Sequence, residues 1–339
     1  MVIATMLASC QRKPLHLAQR GNVSFTTAVI DIHLDFLWGE HWKEDLQYPW
    51  NEQEHGVLGY TEPWGIRSIV YLLDEEKRRT EYLTRNMSKE GGRVNIATKE
   101  HYDMLFYNND TEYILFQSKQ DGNKATTLAT TRTRTRATYV GSEFTDKDEE
   151  TMTPPDMLYA NRVEGYIPEK SIDPVPFPIT LQPLVFTYKI RYEFLEEDGG
   201  LEYVAYANGA LSGMAKSVIM DTGETSAEGS TILFNNCEIT DYGVRGIVTS
   251  FGIPSFPNKD VNSRTDCPKN GLNLEVVLRN GKIINFNFDV TEQVQKQPHG
   301  GVIVVTGLQI KPEDGTQGSG AFDVDVNGWE ETEDIYLPL

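Results

Sequence analysis

The stretch Leu184-Val185-Phe186-Thr187-Tyr188-Lys189-Ile190-Arg191-Tyr192-Glu193-Phe194 decides the fold class. Leu184 and every second residue after it are apolar or aromatic, whereas the intervening residues from Thr187 onward are polar or charged. Successive side chains of a β-strand point to opposite faces, so this pattern predicts a strand with one face in a core and one in solvent. Tyrosines, which favour strands, number 16 in the chain.

Further strand patterns surround this stretch. Asn280-Gly281 separates the alternating segments 274–279 and 282–290, which predicts a hairpin because Asn-Gly fits a tight two-residue turn. A short helical turn is predicted over 208–214. The other strand candidates are residues 23–36, 66–73, 94–96, 102–107, 113–116, 302–305 and 322–326. Short strands at regular spacing predict an all-β protein built from β-sandwiches.

Prolines divide the chain into two parts. Residues 167–183 contain five of them: Pro168, Pro174, Pro176, Pro178 and Pro183. Proline lacks an amide hydrogen and fixes its own backbone angle, so this density disfavours both a helix and a central strand. We predict a stiff linker over 167–183. It would join an N-terminal β-sandwich over 23–166 to a C-terminal β-sandwich over 184–339.

The charge balance excludes one class of partner. The 339 residues include 31 basic and 50 acidic ones, which gives a formal net charge of −19. Nucleic-acid phosphates require a basic surface, so we predict no nucleic-acid partner. After the N-terminus, no apolar run reaches the ~20 residues of a membrane-spanning helix.

The N-terminal residues point to the cell envelope. An apolar run over 1–6 leads into Leu7-Ala8-Ser9-Cys10, and the polar Gln11-Arg12-Lys13 follows at once. This pattern resembles the end of a bacterial lipoprotein signal peptide, in which the cysteine thiol carries the lipid. We predict a signal remnant over 1–10, a lipidated Cys10, a tether over 11–22 and attachment to the outer membrane, on its surface or periplasmic face. The alternative is a short apolar N-terminus with a chance cysteine.

Cys237 and Cys267 leave two interpretations open. They would form a disulfide in an oxidising compartment if their positions allow it. Otherwise they are two independent buried thiols.

Four of the five tryptophans lie close together in the sequence, at Trp38, Trp42, Trp50 and Trp64. Exposed aromatic side chains on a loop stack on sugar rings or anchor a protein partner. The alternative is a long insertion that packs its own small core. This segment is the best candidate for ligand binding in the sequence.

Other constellations have simpler explanations. Arg132, Arg134 and Arg136 alternate with threonines, and we favour an edge strand whose charges deter pairing over a polyanion site. The alternation of Asp31, His33 and Asp35 is typical of a solvated sheet face. Residues 323–334 resemble a calcium-binding loop, but Asp334 stands where such a loop has its final glutamate. We therefore predict no metal and no cofactor.

The sequence has no nucleophile elbow, zinc-protease motif or phosphate loop, so we predict that the protein is not an enzyme.

Several segments carry a family resemblance. They are Tyr107 to Glu112 with Ile114 and Phe116, Thr130 to Arg132, Ala210 to Ala215, Phe251-Gly252, Phe288 to Val294, and Val324-x-Val326 to Trp329 with Ile335. The sequence resembles the fimbrillin-like lipoproteins of Bacteroidetes, a group that includes a family of unknown function. The resemblance implies two tandem transthyretin-like β-sandwich domains and a role in building or anchoring pili.

The same resemblance implies a mode of assembly. Relatives join when a strand of one subunit completes the sheet of the next, which is a form of β-augmentation. The candidate donor here is 321–339, with Phe322, Val324, Val326, Trp329 and Ile335, and the candidate native first strand is 23–36. We expect an adhesin or an accessory or anchor subunit with other fimbrillin-like subunits as partners. A glycan-binding envelope lipoprotein that uses the tryptophans is the alternative.

Overall fold

A computed structural model of the chain describes residues 25–34, 53, 61–121, 124–196, 199–257 and 269–316. These residues are predominantly strand, and they form sheets that enclose buried apolar cores. The predicted all-β, sandwich-type fold class is confirmed.

The first part of the chain contributes ten strands to the described residues. In chain order they are β1 Phe25–Leu34, β2 Gly65–Leu73, β3 Arg79–Ser88, β4 Gly91–Ala97, β5 His101–Asn108, β6 Ile114–Asp121, β7 Lys124–Thr131, β8 Glu150–Met152, β9 Tyr159–Tyr166 and β10 Val175–Pro183.

The second part adds eight strands and three short helical segments within the described ranges. The strands are β11 Phe186–Phe194, β12 Val204–Ala215, β13 Ser217–Ile219, β14 Gly229–Ile239, β15 Gly243–Ser250, β16 Gly271–Leu278, β17 Ile283–Asp289 and β18 Gly301–Leu308. The helical segments are a 3-10 turn at Leu201–Tyr203, α1 at Thr291–Lys296 and α2 at Pro312–Thr316. None of the helices in the described ranges combines the length and apolar character that crossing a bilayer requires.

Seven strands close on themselves in what we call the ring sheet, with the order β1-β10-β9-β5-β2-β3-β4 and back to β1. β1 runs parallel to β10 and antiparallel to β4. The β3–β4 pair meets at Ser88 and Gly91. Alternate side chains point inward, and Ile30, Ile66 and Phe106 are among the buried residues of this core. Closure removes the unpaired edges that an open sheet would present.

The second sheet has the order β17-β16-β12-β14-β15-β11-β18, with β8 also paired to β14. It folds over on itself because β14 pairs with β12 along most of its length and with β15 at Glu238 and Ile239. Tyr192 of β11 and Leu274 of β16 lie in the same buried cluster. The Tyr192 hydroxyl donates to the backbone carbonyl of Asn273 over 3.1 Å, which links the two layers.

A three-stranded bridging sheet of β6, β7 and β13 joins the two parts. β7 comes from the first part of the chain and pairs with β13 of the second, for example at Ala129 and Val218. A third buried cluster contains Leu105 from the ring sheet together with Ala129, Val218 and Phe251. The two parts therefore share a packed junction.

The proline-rich segment corrects one prediction. Residues 175–183, predicted as linker, form β10, which pairs with β1 over Val175 to Leu181. Proline removes one donor, but Pro176 and Pro178 occupy alternate positions, so their nitrogens face the same edge. β9 pairs with β10 further along the strand, at Gln182 and Pro183. The pairing with β9 therefore needs no amide hydrogen from Pro176 or Pro178. The exact domain boundaries stay a prediction.

The predicted helical turn over 208–214 is also wrong, because those residues lie within β12. β12 is held between β14 and β16, and these tertiary pairings override the local preference. Gly209 fits here because a Cβ would lie 2.1 Å from the Phe234 ring.

Local patterns are confirmed elsewhere. The predicted strand around 184–194 is β11, and its side chains alternate between buried and half-buried along all nine residues. The Asn280-Gly281 hairpin joins β16 and β17, with Gly281 at a φ of +84°.

Gly91→Ala is expected to destabilise the ring sheet. Gly91 has a φ of +105°, and a Cβ there would lie 2.0 Å from the carbonyl oxygen of Ile30 in β1. The backbone would have to move away from β1, so we expect the free energy of unfolding in urea to fall by about 3 kcal/mol.

Gly165→Ala is the matched control. Gly165 also has a positive φ, +60°, but nothing lies within 4 Å of its Cβ position. The backbone conformation alone is expected to cost about 1 kcal/mol. Equal losses in the two variants would contradict the role of the contact with β1.

Candidate functional site

The position of β1 is the first candidate site. Its backbone pairs on both sides: Ala28 to Leu34 lie beside β10, and Phe25 to Asp31 lie beside β4. We call this position, between β4 and β10, the seat of β1. The strand predicted over 23–36 is confirmed over Phe25–Leu34.

The side chains of β1 alternate as the sequence predicts. Ala28, Ile30 and Ile32 are buried in the core of the ring sheet. Asp31 and His33 are exposed on the other face, and His33 Nε2 lies 3.2 Å from Asp31 Oδ2. Asp35 lies outside the described residues. No group of three or more metal-ligating side chains is present in the described ranges.

The seat has a simple chemical specification. It offers backbone donors and acceptors from β4 on one side and from β10 on the other, and its floor is apolar. Full burial of an isoleucine contributes about 1.5–3 kcal/mol relative to exposure. The seat therefore accepts an extended segment with apolar residues at every second position.

An ion-pair network lies at the junction of the two parts. The Arg79 guanidinium lies 2.7 Å from Asp103 Oδ2 and 2.7 Å from Asp221 Oδ1, and all three side chains are buried. Arg162 also contacts Asp103 Oδ2, over 2.9 Å. Asp221 additionally accepts from the Thr127 backbone N–H over 3.0 Å. Arg79 and Asp103 belong to the ring sheet and Asp221 follows β13, so these bonds hold the two parts together.

The charge state of Asp103 follows from its neighbours. Burial acts to raise the pKa of its carboxyl, but the hydrogen bond from the Gly165 N–H and the charges of Arg79 and Arg162 outweigh burial. The pKa of Asp103 therefore lies below its ordinary value. Its oxygens already accept from two guanidinium groups and a backbone N–H. This arrangement is structural, because an ionised carboxylate with these partners is a poor general acid.

A charged cleft of about 720 Å³ lies beside this network. His101, Glu100 and Glu164 line it together with Arg79, Asp103 and Arg162. Glu164 forms an ion pair with Arg162, so both charges at this rim are partnered.

Most of the predicted site residues lie outside the described residues. These are Cys10, Cys267, Trp38, Trp42, Trp50, Phe322, Val324, Val326, Trp329 and Ile335. Trp64 is described: the residue is 86% exposed, and its backbone N–H donates to Asp110 over 2.6 Å. The grouping of the four tryptophans stays a prediction.

Cys237 is a free thiol. Burial raises the pKa of its thiol to about 12, which keeps it protonated and unreactive.

The arginine alternation corrects another prediction. β7 ends at Thr131, so Arg132, Arg134 and Arg136 do not line a strand of their own. The Arg134 N–H donates to the Thr151 carbonyl over 2.9 Å, and the Thr151 hydroxyl donates to the Arg134 carbonyl, so the segment is tied to β8. The Arg136 side chain is largely buried, lies 3.7 Å from Glu275 and donates to the Gly209 carbonyl over 3.2 Å. These contacts fix the segment against β12 and β16 of the second sheet.

Comparison with known proteins shows what this chain is similar to. The family described as "Domain of unknown function (DUF5119)" matches residues 48–235. A Bacteroides ovatus protein named "Putative fimbrium anchoring subunit Fim4B" is 23% identical over 305 residues, which cover 82% of this chain and 85% of that protein. The crystal structure of a "putative adhesin" from Bacteroides ovatus has a TM-score of 0.55 at 19% identity and covers 91% of this chain and 96% of that one.

The structural match shows a shared fold. Together the matches confirm the resemblance to fimbrillin-like proteins of Bacteroidetes that the sequence predicts.

Asp103→Asn is expected to lower the free energy of unfolding at pH 7 by about 3 kcal/mol, because it removes a buried partner of Arg79 and Arg162. A carboxyl whose pKa is lowered by folding contributes stability above its unfolded pKa, near 3.9, and that stability is lost as pH falls through the folded value. The difference between variant and wild type should therefore shrink below about pH 4. Urea unfolding across this range measures it.

Asp74→Asn is the matched control. Asp74 also pairs with an arginine, Arg78, but the pair is exposed to solvent. We expect little change in stability. A loss in this control as large as in Asp103→Asn would contradict the role of burial.

Proposed function

The chain belongs to the DUF5119 family, and from this premise we propose that it is a non-enzymatic fimbrial subunit of the outer membrane that acts as an anchor or accessory protein. The name of its Bacteroides ovatus relative, a fimbrium anchoring subunit, supports this role. The proposal includes an adhesin of the same cell envelope, since a solved structure with this fold is named a putative adhesin.

The observation that carries the proposal is the pairing of β1 on both sides. A subunit whose own first strand fills its seat has no vacancy there for the strand of a neighbour. Such a subunit terminates an assembly in that direction, as an anchor does. A shaft subunit would have to lose β1.

The positions of the arginines support retention of β1. The resemblance to fimbrillin-like proteins implies that relatives which build the pilus shaft lose their first strand to a protease. That cleavage usually follows an arginine. Arg20 precedes β1, and the next arginine, Arg67, lies within β2. Cleavage after Arg20 would leave β1 attached to the protein.

Retention of the N-terminus also retains the proposed lipid. Residues 11–24 separate Cys10 from β1, and a fully extended tether of this length spans at most ~50 Å. Lipid on Cys10 would thus hold the ring sheet near the outer membrane, with the surface and the periplasmic face both within the proposal.

The C-terminal segment supplies the proposed link to a neighbour. Phe322, Val324 and Val326 are apolar at alternate positions, as Ala28, Ile30 and Ile32 are in β1. In our proposal this segment, continued by Trp329 and Ile335, fills a seat of the same kind in another fimbrillin-like subunit.

Exposure of Trp64 favours a second candidate function. The residue is 86% exposed, which suits stacking of its indole on a sugar ring. In this alternative Trp38, Trp42, Trp50 and Trp64 form a glycan-binding surface of an envelope lipoprotein.

The donor segment is tested with Val324→Asp combined with Val326→Asp. Charges at the inward positions of a donor strand prevent its insertion into an apolar seat. We expect the envelope subunits that co-purify with the wild type from its native host to be lost, as they should be when residues 321–339 are deleted.

Asp323→Asn combined with Asp325→Asn changes the outward positions of the same segment and should leave co-purification intact. Partners that remain bound to both the Val324/Val326 variant and the deletion would contradict donor-strand assembly.

The glycan alternative is tested by replacing Trp38, Trp42, Trp50 and Trp64 with alanine. Under the anchor proposal, retention of the protein on envelope or host glycans, measured by affinity chromatography, is no weaker than that of a Tyr206→Ala control, which removes an exposed aromatic elsewhere. A selective loss of retention in the tryptophan variant would favour the alternative.

A further inference from the structure

The outer edge of β18 is covered by side chains and, among the described residues, not by another strand. In the described part of the chain, β18 ends the second sheet, and it pairs with β11 on one side only. An edge strand leaves a row of N–H and C=O groups facing outward, which is a template for another strand. Val302 and Val304 are alternate residues, so their backbone groups face the same edge.

Two glutamines occupy these positions. The Gln293 side chain donates to the Val304 carbonyl over 2.9 Å and accepts from the Val304 N–H over 2.9 Å. Gln297 donates to the Val302 carbonyl over 3.0 Å and accepts from the Val302 N–H over 3.1 Å. Each primary amide thus forms the pair of bonds that a backbone amide of an added strand would form.

The spacing of the two elements makes this match possible. Side chains four residues apart on a helix are separated by about 6 Å along its axis. Residues two apart on a strand are separated by about 6.6 Å. Gln293, within α1, meets Val304, and Gln297, just after α1, meets Val302, so the helix runs antiparallel to β18.

The rest of the helix is fixed in place. Val294 is completely buried in the core of the second sheet. Gln297 is only 2% exposed, and its backbone carbonyl accepts from the Tyr188 hydroxyl over 2.9 Å. At the other end of the edge, Gly307 has a φ of +81° beside a register shift in the pairing with β11. The glutamines therefore cover two of the outward-facing residues that precede this irregularity, Val302 and Val304.

We propose that Gln293 and Gln297 are a side-chain substitute for a strand and that they keep the β18 edge from pairing with the same edge of a second copy of this chain. The sequence of β18, Gly301–Leu308, contains no charged residue and no proline, so it lacks the residues that usually protect an edge. An uncharged apolar edge is complementary to itself in antiparallel pairing, which identifies the second copy as the partner.

The test uses the full chain with Gln293→Met and Gln297→Met together. Methionine keeps the length and apolar stem of glutamine but cannot form the amide pairs. At concentrations where the protein is monomeric, we expect amide hydrogen exchange at Val302 and Val304 to be at least about tenfold faster than in wild type. At higher concentration, sedimentation should show a dimer, and exchange at both residues should slow again.

Lys296→Met is the matched control on the same helix. It also adds a methionine to this segment, but the ion pair that Lys296 forms is with Glu292 on the same helix and not with β18. This variant should stay monomeric with wild-type exchange at Val302 and Val304. Wild-type exchange in the double variant, or a double variant that stays monomeric up to millimolar concentration with the edge exposed, would overturn the proposal.

A single variant distinguishes the cap from general destabilisation if the double variant does not fold. Gln293→Met removes the bonds to Val304 and leaves those between Gln297 and Val302. Exchange should become faster at Val304 and stay unchanged at Val302. Equal acceleration at both residues would mean that the glutamines act through overall stability, which contradicts the proposal.

Discussion

The pairing of β1 with β4 and β10 is the constraint on which the rest of the structure depends. β1 closes the ring sheet, and its inward residues, including Ile30, supply part of the buried core. Without it, two strands would expose their backbone groups and the apolar floor would meet water. The proposed place of the protein at the end of a fimbrial assembly follows from this one occupied position.

The ring sheet and the β18 edge of the second sheet limit free strand edges in different ways. The ring sheet closes on itself, whereas the β18 edge of the second sheet is covered by two side-chain amides. The junction adds a buried network in which Arg79 bonds to carboxylates from both parts. These arrangements limit strand addition to positions that the protein leaves open, which is what the proposed role beside a defined neighbour requires.

Features that depend on local alternation or turn chemistry were predictable from the sequence. β1, β11 and the Asn280-Gly281 hairpin show the expected faces and turn. Features set by distant partners were not: β10 accepts prolines because of how β9 pairs, and β12 is a strand because it lies between β14 and β16. The Arg79 network joins residues up to 142 positions apart, and no sequence spacing marks it. Gln293 and Gln297 do lie one helical turn apart, but their partners belong to another element.

Intact-mass spectrometry of the mature protein from its native host tests the central claim most directly. The account predicts a chain that begins at an acylated Cys10 and still contains β1, Phe25–Leu34. A mature chain that begins after Leu34 would show that the seat is vacated, and it would contradict the account.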